Sequence, residues 1–204
     1  SWDFTLKDLS KFNVLTYDGR GQGKGPLLEK TYELDEQVAD LLELINEHKI
    51  KRLSLIGLSN GGRVALKFAS IYPDLVESLV VCDSYGDLEP LIKMKLESWL
   101  KAHEKGGNEL RFDVSIPWVW GASFLKKKPE LIEFYRQRSM TAKDSNIRGL
   151  LKGALSGSVD LSRIKAKTLF VVGEEDLLTP PQSHKERCKQ VDNSKVEVVP
   201  GGHA

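Results

Sequence analysis

A chain of 204 residues, 40% of them hydrophobic, can build the core of one domain with or without an insertion, which excludes a disordered chain. Thirty basic against 29 acidic residues leave a formal charge of +1, and Lys and Arg gather only in short runs such as Lys126-Lys127-Lys128, which excludes a nucleic-acid partner. Cys82 and Cys188 stand far apart without CxxC spacing, which argues against a disulfide framework or a zinc site and for a reducing, cytoplasmic compartment. No apolar run approaches the roughly 20 residues needed to span a bilayer, so no membrane partner is expected.

In chain order, Phe12 to Tyr17 (FNVLTY) predicts a short buried strand that runs into a glycine-rich loop, Asp18-Gly19-Arg20-Gly21-Gln22-Gly23-Lys24-Gly25. The loop lacks the spacing of a dinucleotide site: Gly19-x-Gly21 is followed by Lys24, and Gly21-x-Gly23 by Pro26, where a third glycine is needed. No cofactor is expected. Leu34, Val38, Leu41, Leu42 and Ile45 recur every three or four residues and predict a helix to about His48, with Glu33, Asp35 and Glu36 suiting its N-terminal end.

Arg52 to Ile56 (RLSLI) predicts a second strand. It leads through Gly57-Leu58-Ser59-Asn60-Gly61 into a helix that buries Val64, Ala65, Phe68 and Ala69 and ends before Pro73. Further strands follow at Ser78 to Cys82, Lys167 to Val172 and Lys195 to Val199, with a helix over about Gln182 to Gln190. Strands alternating with helices predict an α/β fold with a mostly parallel central sheet flanked by helices. The alternation breaks between Tyr85 and Leu161, where three helical patterns occur: Leu88 to Leu100, around Leu131, Ile132 and Tyr135, and Ile147 to Leu155. The expected organisation is therefore 1–84, first part of the core; 85–161, a helical cap insertion; and 162–204, second part of the core. Trp118 and Trp120 lie in the cap and are candidates to line a substrate pocket, although packing alone also accounts for them.

A serine between glycines, at the junction of a strand and a helix, has the local shape of an exposed nucleophile. The turn is sharp, the hydroxyl projects, and the next backbone N–H, that of Asn60, faces an oxyanion forming beside Ser59. Such a serine needs a base, and the base needs an orienting acid. Gly173-Glu174-Glu175-Asp176 follows one strand directly and Pro200-Gly201-Gly202-His203 follows the next, so both arrive at the same end of the sheet as Ser59. Asp83, after the third strand, is an alternative acid. His184 is a competing histidine, whereas His48 and His103 lie in polar helical contexts that predict solvated side chains. Asp176 could also cap the helix near Pro180, but Thr179 is better placed to do so.

These four segments resemble the α/β-hydrolase fold family with a helical cap: the Asp18-Gly19-Arg20-Gly21-Gln22-Gly23 loop, the Gly57 to Gly61 elbow, the Gly173 to Pro180 loop and the Gly201-Gly202-His203 turn. The resemblance implies Ser59 as nucleophile, His203 as general base and then acid, Asp176 holding the imidazole, the Asn60 N–H as one oxyanion donor, and no metal. It also implies strands before the first visible one, a second oxyanion donor in a loop among them, and a closing helix after His203. A longer parent protein is therefore expected. A strand would then be missing between Phe12 to Tyr17 and Arg52 to Ile56, leaving the former either paired directly with the latter or without a neighbour.

The implied function is a serine hydrolase acting on a small to medium, largely apolar carboxylic ester or lactone through an acyl-enzyme. Two alternatives stay open: a slow or non-catalytic ligand-binding or signalling protein on the same fold, and a C–C bond hydrolase or acyltransferase of the same family. The expected partner is a small-molecule substrate, and the oligomeric state is open. Loss of one oxyanion donor weakens transition-state stabilisation by about 3 kcal/mol, so activity of this stretch by itself is not assured.

Overall fold

The structure, a computed structural model, describes residue 2, residues 5–26 and residues 30–203. Helix α1 (Leu34–Glu47) leads to strand β1 (Leu53–Leu58), helix α2 (Asn60–Ile71) and strand β2 (Val76–Cys82). Four helices follow: α3 (Pro90–Val119), α4 (Ala122–Lys127), α5 (Pro129–Met140) and α6 (Asp144–Ala154). The chain then returns to the sheet through β3 (Lys167–Gly173), α7 (Pro181–Cys188) and β4 (Ser194–Val199).

The four strands lie in the order β1-β2-β3-β4 and are all parallel. This is the expected mostly parallel sheet flanked by helices, with a helical insertion between β2 and β3. Ile56 pairs with Val80, and Val80 with Leu169, so the Val- and Leu-rich runs that signal strands in the sequence sit in register. Along one face of α1, Leu34, Val38, Leu41 and Ile45 are buried. They join Val64, Ala65, Phe68 and Ala69 of α2 and Leu79, Val81 and Phe170 of the sheet in one core.

Two expectations are corrected. Phe12 to Tyr17 is not a strand: residues 13–19 carry no ladder, and Phe12 is 70% exposed, with Val14, Leu15 and Tyr17 exposed as well. A strand exists only by pairing, and β1 is bonded to β2 alone among the described residues. The side of β1 away from β2 is accordingly open, and Ile56 and Leu58 are exposed. In the insertion, the helix expected over Leu88 to Leu100 is followed by a further helical stretch that runs on to Val119 and was not expected; together they make up α3. It is interrupted at Gly106 and at Gly107, where φ of 63° takes the backbone out of the helical region. Gly107 therefore separates two helical pieces, and Pro117, close to the end of the second, has no N–H to donate to the Asp113 carbonyl.

Leu79 and Phe68 have no exposed surface. Replacing either with Ala is expected to lower stability by about 3 to 5 kcal/mol, with an unchanged denaturant m-value, as read by urea unfolding.

Candidate active site

Ser59 is the residue at the β1–α2 junction, with φ 52° and ψ −119°. A non-glycine residue in this region carries strain on the order of 1 to 3 kcal/mol, so the surroundings must hold it there. Both backbone groups are engaged: Ser59 N–H donates to Cys82 O at 2.9 Å, and Ser59 O accepts from Ser84 Oγ at 2.6 Å and from Arg63 N–H at 3.1 Å. The glycines that make room are Gly57 and Gly62. A Cβ on Gly57 would overlap the Gly61 carbonyl, and one on Gly62 would lie 2.6 Å from Ser84 Cβ, whereas a Cβ on Gly61 would meet nothing within 4 Å. The serine is thus flanked by one sterically required glycine at Gly57 and a second at Gly62, one residue beyond the G-x-S-x-G pattern.

Two loops bring side chains to the serine. His203 follows β4 and is 6% exposed, and its Nε2 lies 2.8 Å from Ser59 Oγ. Its Nδ1 lies 2.9 Å from Oδ2 of Asp176, which follows β3 and is 1% exposed. Asp176 is saturated with donors: Leu178 N–H and Thr179 N–H reach Oδ1 at 2.8 Å each, and Thr179 Oγ1 donates to Oδ2 at 2.6 Å. Burial alone would raise the Asp176 carboxyl, but His203, as hydrogen-bond partner and charge, together with the Thr179 donors, holds it down to about 2.

The neighbouring candidates fall elsewhere. Asp83 accepts Gly173 N–H at 2.8 Å; burial, opposed by that hydrogen bond and reinforced by the charge of Asp176, pushes its carboxyl up to about 6. His184 is wholly buried in α7 with Nε2 near Thr179, away from the serine hydroxyl that His203 contacts. His103 is not solvated: it is 2% exposed because α6 packs across α3, with Nε2 3.0 Å from Asp144 Oδ1. His48 is exposed, and its ring lies 3.0 Å from Leu44 O. Thr179 does not cap α7, since its hydroxyl is committed to Asp176 and the helix starts at Pro181.

Asn60 opens α2, so its backbone N–H has no intrahelical acceptor, and its side chain is tied back to Gln37 Oε1 at 2.8 Å. Trp118 and Trp120 are half-buried. Trp118 packs beside Tyr85, Ile92, Leu96 and Leu178 with the Lys95 ammonium 4.9 Å from its ring, and Trp120 stacks on Phe124 and lies against Tyr135.

Sequence reasoning missed how firmly the cap is fastened to these loops. Glu175 accepts from Ser123 N–H at 2.9 Å and Ser123 Oγ at 3.0 Å, at the start of α4. Lys95, buried on α3, donates to the carbonyls of Leu177 and Leu178. Val119 O accepts the His203 N–H at 2.9 Å. Wholly buried Arg63, on α2, donates to Gly86 O near the start of the insertion and to the carbonyls of Gly153, Ala154, Ser156 and Gly157 near its end. The signal for Thr179 was its position three residues after Asp176, the reach of a capping carboxylate to a backbone N–H. Lys95 and Glu175 carry no such mark.

Among the described residues no group of three or more His, Cys, Asp or Glu is placed to hold a metal ion, and no helix is long and apolar enough to cross a membrane. An alpha/beta hydrolase fold family model matches residues 1–204, and the chain belongs to that family. At family level the likeness supports hydrolytic activity of the esterase type, with no particular substrate. One relative, a putative 2-succinyl-6-hydroxy-2,4-cyclohexadiene-1-carboxylate synthase of Bacillus subtilis, is 27% identical over all of this chain and 78% of its own length. Among solved structures, an alpha/beta hydrolase from a Medee basin deep-sea metagenome library is 28% identical with a TM-score of 0.91, covering 100% of this chain and 77% of that one. A thermophilic esterase from Thermogutta terrifontis is 26% identical with a TM-score of 0.86, covering 99% and 77%.

The Asp176 carboxyl sits below its ordinary value of 3.8, so its contribution to stability is complete above that value and is lost as pH falls through about 2. Acid titration of unfolding free energy is expected to show this loss in the wild type between about pH 4 and 2 and a flatter curve in Asp176→Asn over the same window.

Proposed function

We propose that this chain carries the nucleophile, base and acid of a serine hydrolase that cleaves a small to medium, largely apolar carboxylic ester or lactone. The observation that carries this reading is the single imidazole of His203, 2.8 Å from Ser59 Oγ on one side and 2.9 Å from a buried carboxylate on the other. With Nδ1–H donated to Asp176, the Nε2 lone pair faces the serine hydroxyl, the arrangement a general base requires.

In the first step Ser59 Oγ attacks the substrate carbonyl carbon while His203 Nε2 takes the hydroxyl proton. The charge that forms on the carbonyl oxygen faces the Asn60 N–H, and Asp176 stabilises the imidazolium through its short contact with Nδ1. Collapse breaks the bond to the leaving oxygen, which receives the proton from His203 and departs as the alcohol. Where the substrate is a lactone, that alcohol stays attached to the acyl group. Water then attacks the acyl-enzyme, His203 takes its proton, and the same proton returns to Ser59 as the acid is released. The esterase relative and the family membership support the bond class.

A fluorophosphonate probe is expected to label Ser59 in the full natural chain and to leave Ser59→Ala unlabelled. On an ester substrate, Ser59→Ala or His203→Ala is expected to lower kcat by about a millionfold and Asp176→Asn by about ten-thousandfold. Turnover should fall on the acid side, because a protonated imidazole cannot act as a general base. An unlabelled wild type would overturn the hydrolase reading, and a flat rate from pH 5 to 8 would remove His203 as the base.

A further inference from the structure

His184 has no part in the mechanism above, yet it is buried without exposed surface one residue shell behind Asp176. Its ring lies edge-on to Phe170 of β3, with centroids 6.2 Å apart. Nε2 is 3.4 Å from Thr179 Oγ1, and Nδ1 has no hydrogen-bond partner. Burial, with the positive charge of Arg187 next, pushes the ring down to about 4, so at neutral pH it is uncharged and carries one N–H. The charged groups around it are Arg187 on its own helix, Asp176 in the loop after β3 and His203 after β4.

The position of that proton follows from the oxygen it faces. Thr179 has one hydroxyl hydrogen, and its Oγ1 is 2.6 Å from Asp176 Oδ2, the length of a charge-assisted O–H···O bond to an acceptor that has no hydrogen to give. The hydroxyl hydrogen therefore lies on the Asp176 side, and Thr179 Oγ1 can act toward other groups only as an acceptor. His203 Nδ1 is also within 3.5 Å of Oγ1 but is closer to Asp176, at 2.9 Å. Two acceptors of Thr179, its carbonyl and its Oγ1, face the His184 ring; Nε2 is the ring nitrogen in reach of Oγ1, which places the His184 proton on Nε2 and leaves Nδ1 without a partner.

We infer that His184 is a positioning residue for the reaction: its Nε2–H, donated to Thr179 Oγ1, aims the Thr179 hydroxyl at Asp176 and thereby fixes the carboxylate that orients His203. The inference rests on the serine hydrolase reading and extends the hydrogen-bonded chain to His184, Thr179, Asp176, His203 and Ser59. Removing the Thr179 hydroxyl takes one neutral donor from the carboxylate, so more of its charge falls on His203, and the imidazolium is favoured. Asp83, whose carboxyl faces Asp176 and His203 from the end of β2 and is pushed up to about 6 by burial, is untouched by this substitution, so the acid limb of the rate profile moves to higher pH.

The test measures fluorophosphonate labelling of Ser59 and ester kcat and KM against pH in the full natural chain. Thr179→Val is expected to move the acid limb upward and lower kcat about tenfold, with KM little changed, and Thr179→Ser to restore both. His184→Asn, whose amide occupies the Nδ1 position and falls short of Thr179, should shift the profile in the same direction. His184→Gln, whose amide reaches the Nε2 position, should restore it. The Thr179→Val, His184→Asn double variant should be no slower than Thr179→Val alone, because His184 acts through the hydroxyl. A folded His184→Asn with the wild-type profile, or additive losses in the double variant, would overturn the inference. If His184→Asn does not fold, a His184→Gln profile displaced from that of the wild type would overturn it equally. Failure of the wild type to label at all would instead strike the hydrolase reading.

Discussion

One imidazole can bridge a serine and an aspartate only if three separate loops arrive at one point, and the parallel sheet is what makes them do so. Strands β1, β3 and β4 run in the same direction, so the residues that follow Leu58, Gly173 and Val199 all emerge at one end. β2 stands between β1 and β3, and its own following residues, Ser84 and Asp83, support rather than compete. Ser84 holds the strained serine backbone, and Asp83 holds Gly173 at the root of the acid loop. The register of the sheet therefore sets the distance between His203 and Ser59, and Gly57 sets how closely α2 approaches the strand that leads to the serine.

The second constraint is the need to satisfy polar groups in a dry place. Asp176 is buried as an anion, which is tolerable only because four donors surround it. The loop that carries it is itself held from above through Glu175 and Lys95, and the histidine loop through Val119. The cap is in this sense part of the wall of the site as well as its cover. Its second small core, around Tyr85, Ile92, Leu96 and Leu178, joins cap and acid loop by apolar contact where the hydrogen bonds join them by polar contact.

The parts of this arrangement that show in the sequence are those governed by local pattern. The strands at Leu53, Val76, Lys167 and Ser194 are short apolar runs, and α1 has a clean buried stripe, so both were legible. Ser59, Asp176 and His203 stood out because each follows such a strand directly. What did not show depends on groups distant in the chain. FNVLTY has the composition of a strand, but pairing requires a neighbour, and none lies beside it among the described residues. Gly61 fits the pattern of the elbow, but Gly62 is the one that faces Ser84. His103 looks polar and solvent-facing on its own helix and is buried by α6, which begins 41 positions later at Asp144. Thr179 resembles a helix cap until the competing claim of Asp176 on its hydroxyl is seen.

Arg63 sets how the cap is able to move. Its guanidinium, with Tyr85 beneath it at 4.7 Å, makes hydrogen bonds to carbonyls at both the entrance and the exit of the insertion. Swinging the cap from its base would strand a fully charged group with unmatched donors in the protein interior, a far larger penalty than thermal motion supplies. α5, which has no buried residue, lies outside the reach of these bonds. A ligand entering this site would pass this outer brim above a fixed collar, and exchange of backbone amides should be slow at the collar and fast at the brim.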